Sequence, residues 1–183
     1  MTRVFEKSWW LPLGLALVLG AVNLSIAGKE RLVADGRMVL LELAPLDPRS
    51  IMQGDYMRLD TRVARSLPTD MVVGGTHAVR LKLDARGVAT AAEFDRGGPL
   101  AAGEARMVAR PLVRSGWRLG SDAFFFQEGT ARVYESARYG EYRVTEGGES
   151  VLVALRDADL KRLGPDRYAD RWQVPEAPRA RKR

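Results

Sequence analysis

Residues 77–94 read HAVRLKLDARGVATAAEF, and their alternation of apolar and polar side chains is typical of β-strands. In the first half, Val79, Leu81 and Leu83 are separated by single polar residues, which gives one apolar face and one polar face. The sequence DARG follows, and its Gly87 can adopt the positive φ of a tight turn. The stretch therefore predicts a β-hairpin with one buried face.

The same pattern returns on both sides of this hairpin. Near the C-terminal end, EYRV (141–144) and SVLVALR (150–156) flank the turn residues EGGE (146–149), which predicts a second hairpin. RMVLLEL at 37–43 predicts another strand. DAFFFQEG at 122–129 contains three consecutive phenylalanines, and we expect this strand to be covered on both faces.

Strand periodicity predominates from residue 29 to residue 174, without an internal repeat or a low-complexity linker. Two stretches, 129–138 and 157–163, lack it and predict short helices. The fold class is therefore expected to be mainly β, with an antiparallel β-barrel or β-sandwich and one or two short helices. Residues 175–183 carry four basic groups and one acid, which predicts a disordered basic tail.

An uncharged apolar run precedes this domain. Residues 9–27 read WWLPLGLALVLGAVNLSIA, and a helix of this length spans about 28 Å, close to the hydrocarbon thickness of a bilayer. Trp9 and Trp10 suit the membrane interface, and Pro12 falls in the first turn, where its missing N–H costs little. We predict an N-terminal membrane anchor over residues 1–28, in contact with inner-membrane lipid.

A cleaved signal peptide is the alternative interpretation of this run. Ser25 and Ala27 are small residues at the spacing of a cleavage site before Gly28. The run is longer than a signal-peptide core, and Asn23 interrupts it, so an uncleaved anchor is favoured. The segment before the run carries slightly more positive charge than the segment after it. This favours a single-pass protein of the inner (cytoplasmic) membrane with a cytoplasmic N-terminus and a periplasmic domain.

Composition excludes several classes of function. The chain has no cysteine and one histidine, so it holds no disulfide, no thiolate metal site and no multi-histidine metal site. Its net charge of +6 is concentrated in the C-terminal tail and the N-terminus, which argues against nucleic-acid binding. We expect no cofactor, no metal site and no recognisable small-molecule site.

The most distinctive chemistry lies at residues 45–63, PLDPRSIMQGDYMRLDTRV. Asp47 is placed to cap one helical turn, with Pro48 at its first position and Gly54 at its end. The strand that follows is predicted to divide its side chains between two faces. One face holds Met57, Leu59, Thr61 and Val63, and the other holds Tyr56, Arg58, Asp60 and Arg62.

The segment 54–61 resembles the signature of the GDYXXLXY protein family through Gly54, Asp55, Tyr56 and Leu59. The signature ends in a tyrosine, and this chain has Thr61 at that position. Asp47-Pro48-Arg49 and the later QEG at 127–129 are similar to that family as well. The resemblance implies a membrane-anchored bacterial protein with no defining activity. Genes of the family often accompany those of multispanning membrane proteins, so a partner of that kind is implied too.

Two interpretations of the motif remain open. Glycine for a positive φ, aspartate for turn amides and tyrosine for packing give a purely structural account. The functional interpretation is a recognition site for a partner or ligand at one end of the sheet. Its candidate residues are Asp47, Arg49, Gly54, Asp55, Tyr56 and Leu59.

These features favour a binding or accessory module of the membrane over an enzyme. The alternative is a membrane-anchored Ser/Lys hydrolase similar to type I signal peptidases, with Ser50 as nucleophile and Lys82 as base. His77 is interpreted as a strand-end residue rather than a general base. The acidic clusters, such as Glu128 with Glu135 and Glu141, are interpreted as ion-paired residues on a solvated face rather than cation ligands.

Overall fold

A computed structural model describes residues 10–44, 56–69, 75–112 and 116–165. Strands hold 39% of these residues and helices 25%, which confirms the mainly β prediction. The elements in chain order are α1 (Trp10–Asp35), β1 (Arg37–Glu42), β2 (Tyr56–Arg58), α2 (Arg62–Arg65), β3 (His77–Leu83), β4 (Ala89–Phe94), β5 (Glu104–Pro111), β6 (Trp117–Leu119), β7 (Ala123–Phe125), α3 (Ala131–Tyr134), β8 (Tyr139–Val144), β9 (Ser150–Arg156) and β10 (Arg162–Leu163).

The hairpin predicted at 77–94 forms strands β3 and β4. Gly87 has a φ of 81°, and the Asp84 carboxylate accepts hydrogen bonds from the N–H groups of Arg86 and Val88 at 2.8 and 2.9 Å. The bond from Val88 contributes most to lowering the pKa of Asp84. Strands β5 and β6 extend the hairpin into a four-stranded antiparallel sheet of order β4-β3-β5-β6.

The second predicted hairpin, β8 and β9, lies in another antiparallel sheet of order β1-β8-β9-β10. A bridge between Leu40 and Val88 joins the two sheets along one side, and the Leu40 N–H donates to the Gly87 carbonyl at 2.9 Å. The described part of the chain thus forms antiparallel sheets that include a half-barrel. The separate ribbon of β2 and β7 is antiparallel as well.

The larger hydrophobic cluster lies between the two sheets. Both inner faces contribute residues that are no more than 7% exposed, and Trp117 and Tyr142 are the largest of them. Burial raises the pKa of Tyr142 to about 12. The alternating positions of the first hairpin supply the opposite wall, with Val79 and Leu81 fully buried. The predicted apolar face of the first hairpin therefore packs against β1 and β8 of the other sheet.

Helix α1 extends beyond the predicted anchor to Asp35 and packs on the domain. Leu32 is 4% exposed, and Lys29 forms an ion pair with Glu149 in the β8–β9 turn. The Gly36 N–H donates to the Leu32 carbonyl at 3.0 Å, and Arg143 donates to the Gly36 carbonyl at 3.1 Å. A Cβ at residue 36 would collide with the Leu32 carbonyl, so this close approach requires glycine.

A buried carboxylate organises the outer face of β8. Glu141 is fully buried, and it accepts hydrogen bonds from Arg156 at 2.7 Å and from Arg162 at 2.6 and 2.8 Å. Desolvation opposes ionisation, yet these guanidinium groups hold the pKa of Glu141 below its usual value. We predicted ion pairs for Glu141 on a solvated face. The ion pairs form, but the solvated face was wrong, because the arginine side chains cover the carboxylate.

A second acidic centre lies on the outer face of the β3–β5 sheet. Asp95 has a side chain that is 2% exposed, and it binds Arg106 at 2.5 Å and Arg80 at 2.9 Å. The Gly97 N–H donates to it at 3.0 Å. The hydrogen bond from Arg106 and then that from Arg80 lower the pKa of Asp95 to about 2. This centre holds the loop after β4 against the sheet.

Two predictions about secondary structure were wrong in part. Residues 157–163 form a turn and strand β10 instead of a helix, because the Asp157 carboxylate accepts from the N–H groups of Asp159 and Lys161, and Leu160 has a φ of 62°. The predicted strand over 56–63 ends at Arg58, and Val63 lies in α2.

The predicted division of residues 56–63 between a buried and an exposed face is correct, although the strand is shorter than predicted. Met57, Leu59, Thr61 and Val63 are all buried, whereas Tyr56, Arg58, Asp60 and Arg62 are half-buried or exposed. The helix predicted over 129–138 is present as α3. The helical turn predicted at 47–54 and the basic tail at 175–183 lie outside the described residues.

Substituting Glu141→Gln removes the charge that neutralises Arg156 and Arg162 in a buried setting. We expect the free energy of unfolding to fall by about 3–5 kcal/mol, as measured by chemical denaturation. Glu93→Gln is the matched control, because Glu93 pairs with Lys82 at 3.7 Å and both side chains are more than half exposed. The control should change stability by less than about 0.5 kcal/mol. Equal effects of the two substitutions would contradict the role assigned to Glu141.

Asp95 should make stability depend on pH in the acid range. Its pKa is about 2 in the folded chain and near its usual 3.8 in the unfolded chain. The unfolded chain therefore binds more protons in this interval, and stability falls as the pH drops from about 4 to 2. Melting temperatures of the wild type and Asp95→Asn across this range test the effect. The variant should show the shallower decline, and parallel curves would refute the prediction.

Candidate functional site

The ribbon of β2 and β7 presents the C-terminal part of the predicted recognition motif. Its register pairs Tyr56 with Phe125 and Met57 with Phe124. Since side chains alternate along a strand, Met57 and Phe124 face inward, and Tyr56 and Phe125 face outward. The two outer rings have centroids 5.8 Å apart at a tilt of 40°.

A small hydrophobic cluster holds this ribbon in place. Phe124 and Phe126 pack on Tyr134 of α3, with ring centroids 5.1 and 5.3 Å apart. Leu59 and Leu155 belong to the same cluster, and the Leu59 N–H donates to the Asp122 carbonyl at 3.0 Å. The inner face of the ribbon is thus fixed by aromatic packing.

The phenylalanine run differs from its prediction at one position. Phe124 and Phe126 are buried as expected, but Phe125 is 66% exposed. The reason is that β7 pairs with β2 in a two-stranded ribbon, so alternate side chains point away from the small cluster. Phe125 therefore lies beside Tyr56 on the outer face.

Of the six predicted site residues, the structure describes two. Tyr56 is half-buried on the outer face of the ribbon, and Leu59 is 4% exposed in the small cluster. Asp47, Arg49, Gly54 and Asp55 lie outside the described residues.

Thr61 occupies the position where the motif has its final tyrosine. It is 3% exposed, and its hydroxyl has no hydrogen-bond partner among the described residues. Thr61 bridges to Leu43 at the end of β1. The threonine thus lies in the interior beneath the motif strand.

The environment of Lys82 bears on the hydrolase alternative. Lys82 points to solvent from β3 and lies 3.7 Å from Glu93, with a side chain that is 58% exposed. A lysine general base needs a desolvated site, and this position does not supply one. Ser50 lies outside the described residues.

His77 and the acidic clusters are the other candidates for a chemical role. His77 begins β3, as predicted, and packs edge-on against Trp117 and Phe94 at centroid distances of 5.1 and 5.9 Å. Within the described ranges, no group of three or more His, Asp or Glu side chains is arranged to hold a metal ion.

The sequence analysis missed the contact between α1 and the domain. It ended the helix near residue 28, because the apolar run stops at Ala27. A signal was present, since residues 29–35 read KERLVAD and contain neither glycine nor proline. Leu32 lies one turn beyond Gly28 on the same helix face, as expected of a residue that packs on a domain.

Comparisons with known proteins agree with the motif. The family model described as "GDYXXLXY protein" matches residues 18–155, from within α1 to the end of β9. No curated protein and no solved structure matches the chain. Because this match covers well over half of the sequence and includes the motif strand, the chain belongs to the GDYXXLXY protein family.

Proposed function

We propose that this protein is a membrane-anchored, periplasmic-facing accessory module that works beside a multispanning membrane protein. The single observation that carries the proposal is α1. It is long and apolar enough to cross a membrane, and its apolar part packs on nothing in the described chain. The same helix is fixed to the domain at Lys29, Leu32 and Gly36.

One face of α1 suits contact with another transmembrane helix. Ala16, Gly20, Asn23 and Ala27 follow one another at spacings of four, three and four residues, which places them on a single face. Small residues allow helices to approach closely in a membrane, and asparagine hydrogen-bonds across such interfaces. The Asn23 amide donates to the Leu19 carbonyl at 2.8 Å, and its own oxygen remains available to a neighbouring helix.

The domain supplies the second contact region in this proposal. Tyr56, which directly follows Gly54 and Asp55 in the motif, lies on the outer face of the β2–β7 ribbon beside Phe125. Aromatic side chains are enriched at protein interfaces, because they bury a large area with few rotatable bonds. The anchor would bring the module to its partner, and the ribbon would make the specific contact.

Capture of the tagged full-length protein from native membranes in mild detergent tests the helix face. We expect a multispanning protein to co-purify in fixed ratio with the wild type. Asn23→Leu and Gly20→Leu should lower its recovery about tenfold, because they remove a hydrogen bond and the close approach of the helices. Gly14→Leu is the matched control, since Gly14 lies about a third of a turn away from Gly20. Equal losses in all three variants, or no such partner with the wild type, would refute the proposal.

Reporter fusions test the orientation separately. We expect a reporter that is active only outside the cytosol to be active when fused after Arg183, and one that is fluorescent only in the cytosol to stay dark. The mass of the purified chain should include residues 1–27, because the anchor is expected to stay uncleaved. A cytosolic reporter signal, or a chain that starts at Gly28, would contradict this topology.

A further inference from the structure

A cleft lies where α1 leaves the apolar run and meets the domain. It has a volume of about 790 Å³, and its walls come from the last two turns of α1, the loop at 98–101 and the turn after β8. Gly28, the first residue after the apolar run, lies at its edge. If residues 9–27 fill the hydrocarbon core, the cleft lies at the level of the phospholipid headgroups.

The lining of the cleft combines apolar walls with charges of both signs. Leu32, Pro99 and Leu100 are among its apolar residues. The exposed charged residues that line it are Arg31, Asp35, Arg37 and Glu146. Arg106 lines it too, but Asp95 neutralises this guanidinium.

The four exposed charges are not held in ion pairs by the described residues. Arg31, Asp35 and Glu146 have no ion-pair partner there, and Arg37 donates a hydrogen bond to the main-chain carbonyl of Glu104. Two cationic and two anionic groups therefore share one cleft and remain available to a ligand.

This balance of charge defines the ligand class. Guanidinium groups bind phosphate through directed hydrogen bonds, and carboxylates accept hydrogen bonds from an ammonium group. A ligand with one phosphate and one ammonium would satisfy both, whereas a simple anion would meet Asp35 and Glu146 unfavourably. The apolar walls suit the glycerol and upper acyl carbons of a lipid.

The type of ammonium group follows from the carboxylates of Asp35 and Glu146, which accept hydrogen bonds from an ammonium group that carries N–H. None of the described residues that line the cleft is aromatic. Quaternary ammonium groups such as choline are recognised by aromatic faces, and they have no N–H to donate to a carboxylate. We infer that the cleft binds the phosphoethanolamine headgroup of a membrane phospholipid, with phosphate at Arg31 and Arg37 and the primary ammonium at Asp35 and Glu146. This site requires the anchor but no protein partner.

Native mass spectrometry of the full-length protein in detergent tests the inference. Phosphatidylethanolamine, phosphatidylcholine and phosphatidylglycerol with identical acyl chains are added in equal amounts, and the bound fraction of each is measured. The wild type should retain phosphatidylethanolamine about fivefold better than either of the others. Equal retention of the three lipids, or preference for phosphatidylglycerol, would overturn the assignment.

Paired substitutions separate the two halves of the headgroup. Arg31→Gln with Arg37→Gln should lower retention of every phospholipid, because the phosphate contacts are lost. Asp35→Asn with Glu146→Gln should lower retention of phosphatidylethanolamine and raise that of phosphatidylglycerol. Glu128→Gln with Arg132→Gln is the matched control, since both residues are exposed and lie outside the cleft. Cleft variants that keep the wild-type melting temperature and yet bind lipid like the control would refute the site.

Competition with glycerophosphoethanolamine, which has the same headgroup without acyl chains, distinguishes a soluble ligand from a membrane lipid. Glycerophosphoethanolamine should displace the bound lipid only at concentrations at least about a hundredfold above those of phosphatidylethanolamine, because the apolar walls then have nothing to contact. Displacement at equal concentration would show that a soluble molecule, and not a membrane lipid, is the occupant. Either result is independent of whether a multispanning partner co-purifies.

Discussion

The architecture depends on one helix, α1, whose two parts differ in their contacts. The apolar part of α1 has no partner in the described chain, whereas its last two turns pack on the half-barrel through Leu32 and the ion pair of Lys29 with Glu149. Because the helix is continuous from Trp10 to Asp35, both halves move together. A flexible linker after the anchor would leave the domain free to tumble, and this junction prevents that.

Two buried carboxylates on the outer faces of the sheets stabilise the domain in addition to the hydrophobic core. Glu141 gathers Arg156 and Arg162 on one sheet, and Asp95 gathers Arg80 and Arg106 on the other. In a domain without disulfides, such centres fix loops that the core does not reach. Glu141 ties β10 to β8, and Asp95 ties the loop after β4 to the sheet.

The sequence was informative where local periodicity decides the structure. Alternation in HAVRLKL was sufficient to predict the first hairpin and its buried face, because that face packs in the core. The second hairpin was predicted from EYRV, SVLVALR and the turn between them. The same reasoning assigned the faces of residues 56–63 correctly while missing the start of α2. A buried residue is compatible with either a strand or a helical turn, so Val63 did not distinguish them.

Other features depend on contacts between distant parts of the chain. Nothing near Glu141 in the sequence indicates that Arg162, twenty-one positions later, will cover its carboxylate. Similarly, the exposure of Phe125 follows from its pairing with Tyr56 on the side of the ribbon that points away from the small cluster. For the candidate site, only Tyr56 and Leu59 of the six predicted residues are described, and the cleft beside α1 combines residues from three separate segments.

The continuous junction at residues 28–35 also sets the rotation of the domain about the axis of α1. Each residue of an α-helix contributes about 100° of rotation and about 1.5 Å of rise. Lengthening this segment by one residue would swing the Tyr56–Phe125 face through more than a quarter of a circle while barely changing its height. The number of residues between the apolar run and Gly36 therefore determines the direction in which the Tyr56–Phe125 face points relative to the apolar part of α1.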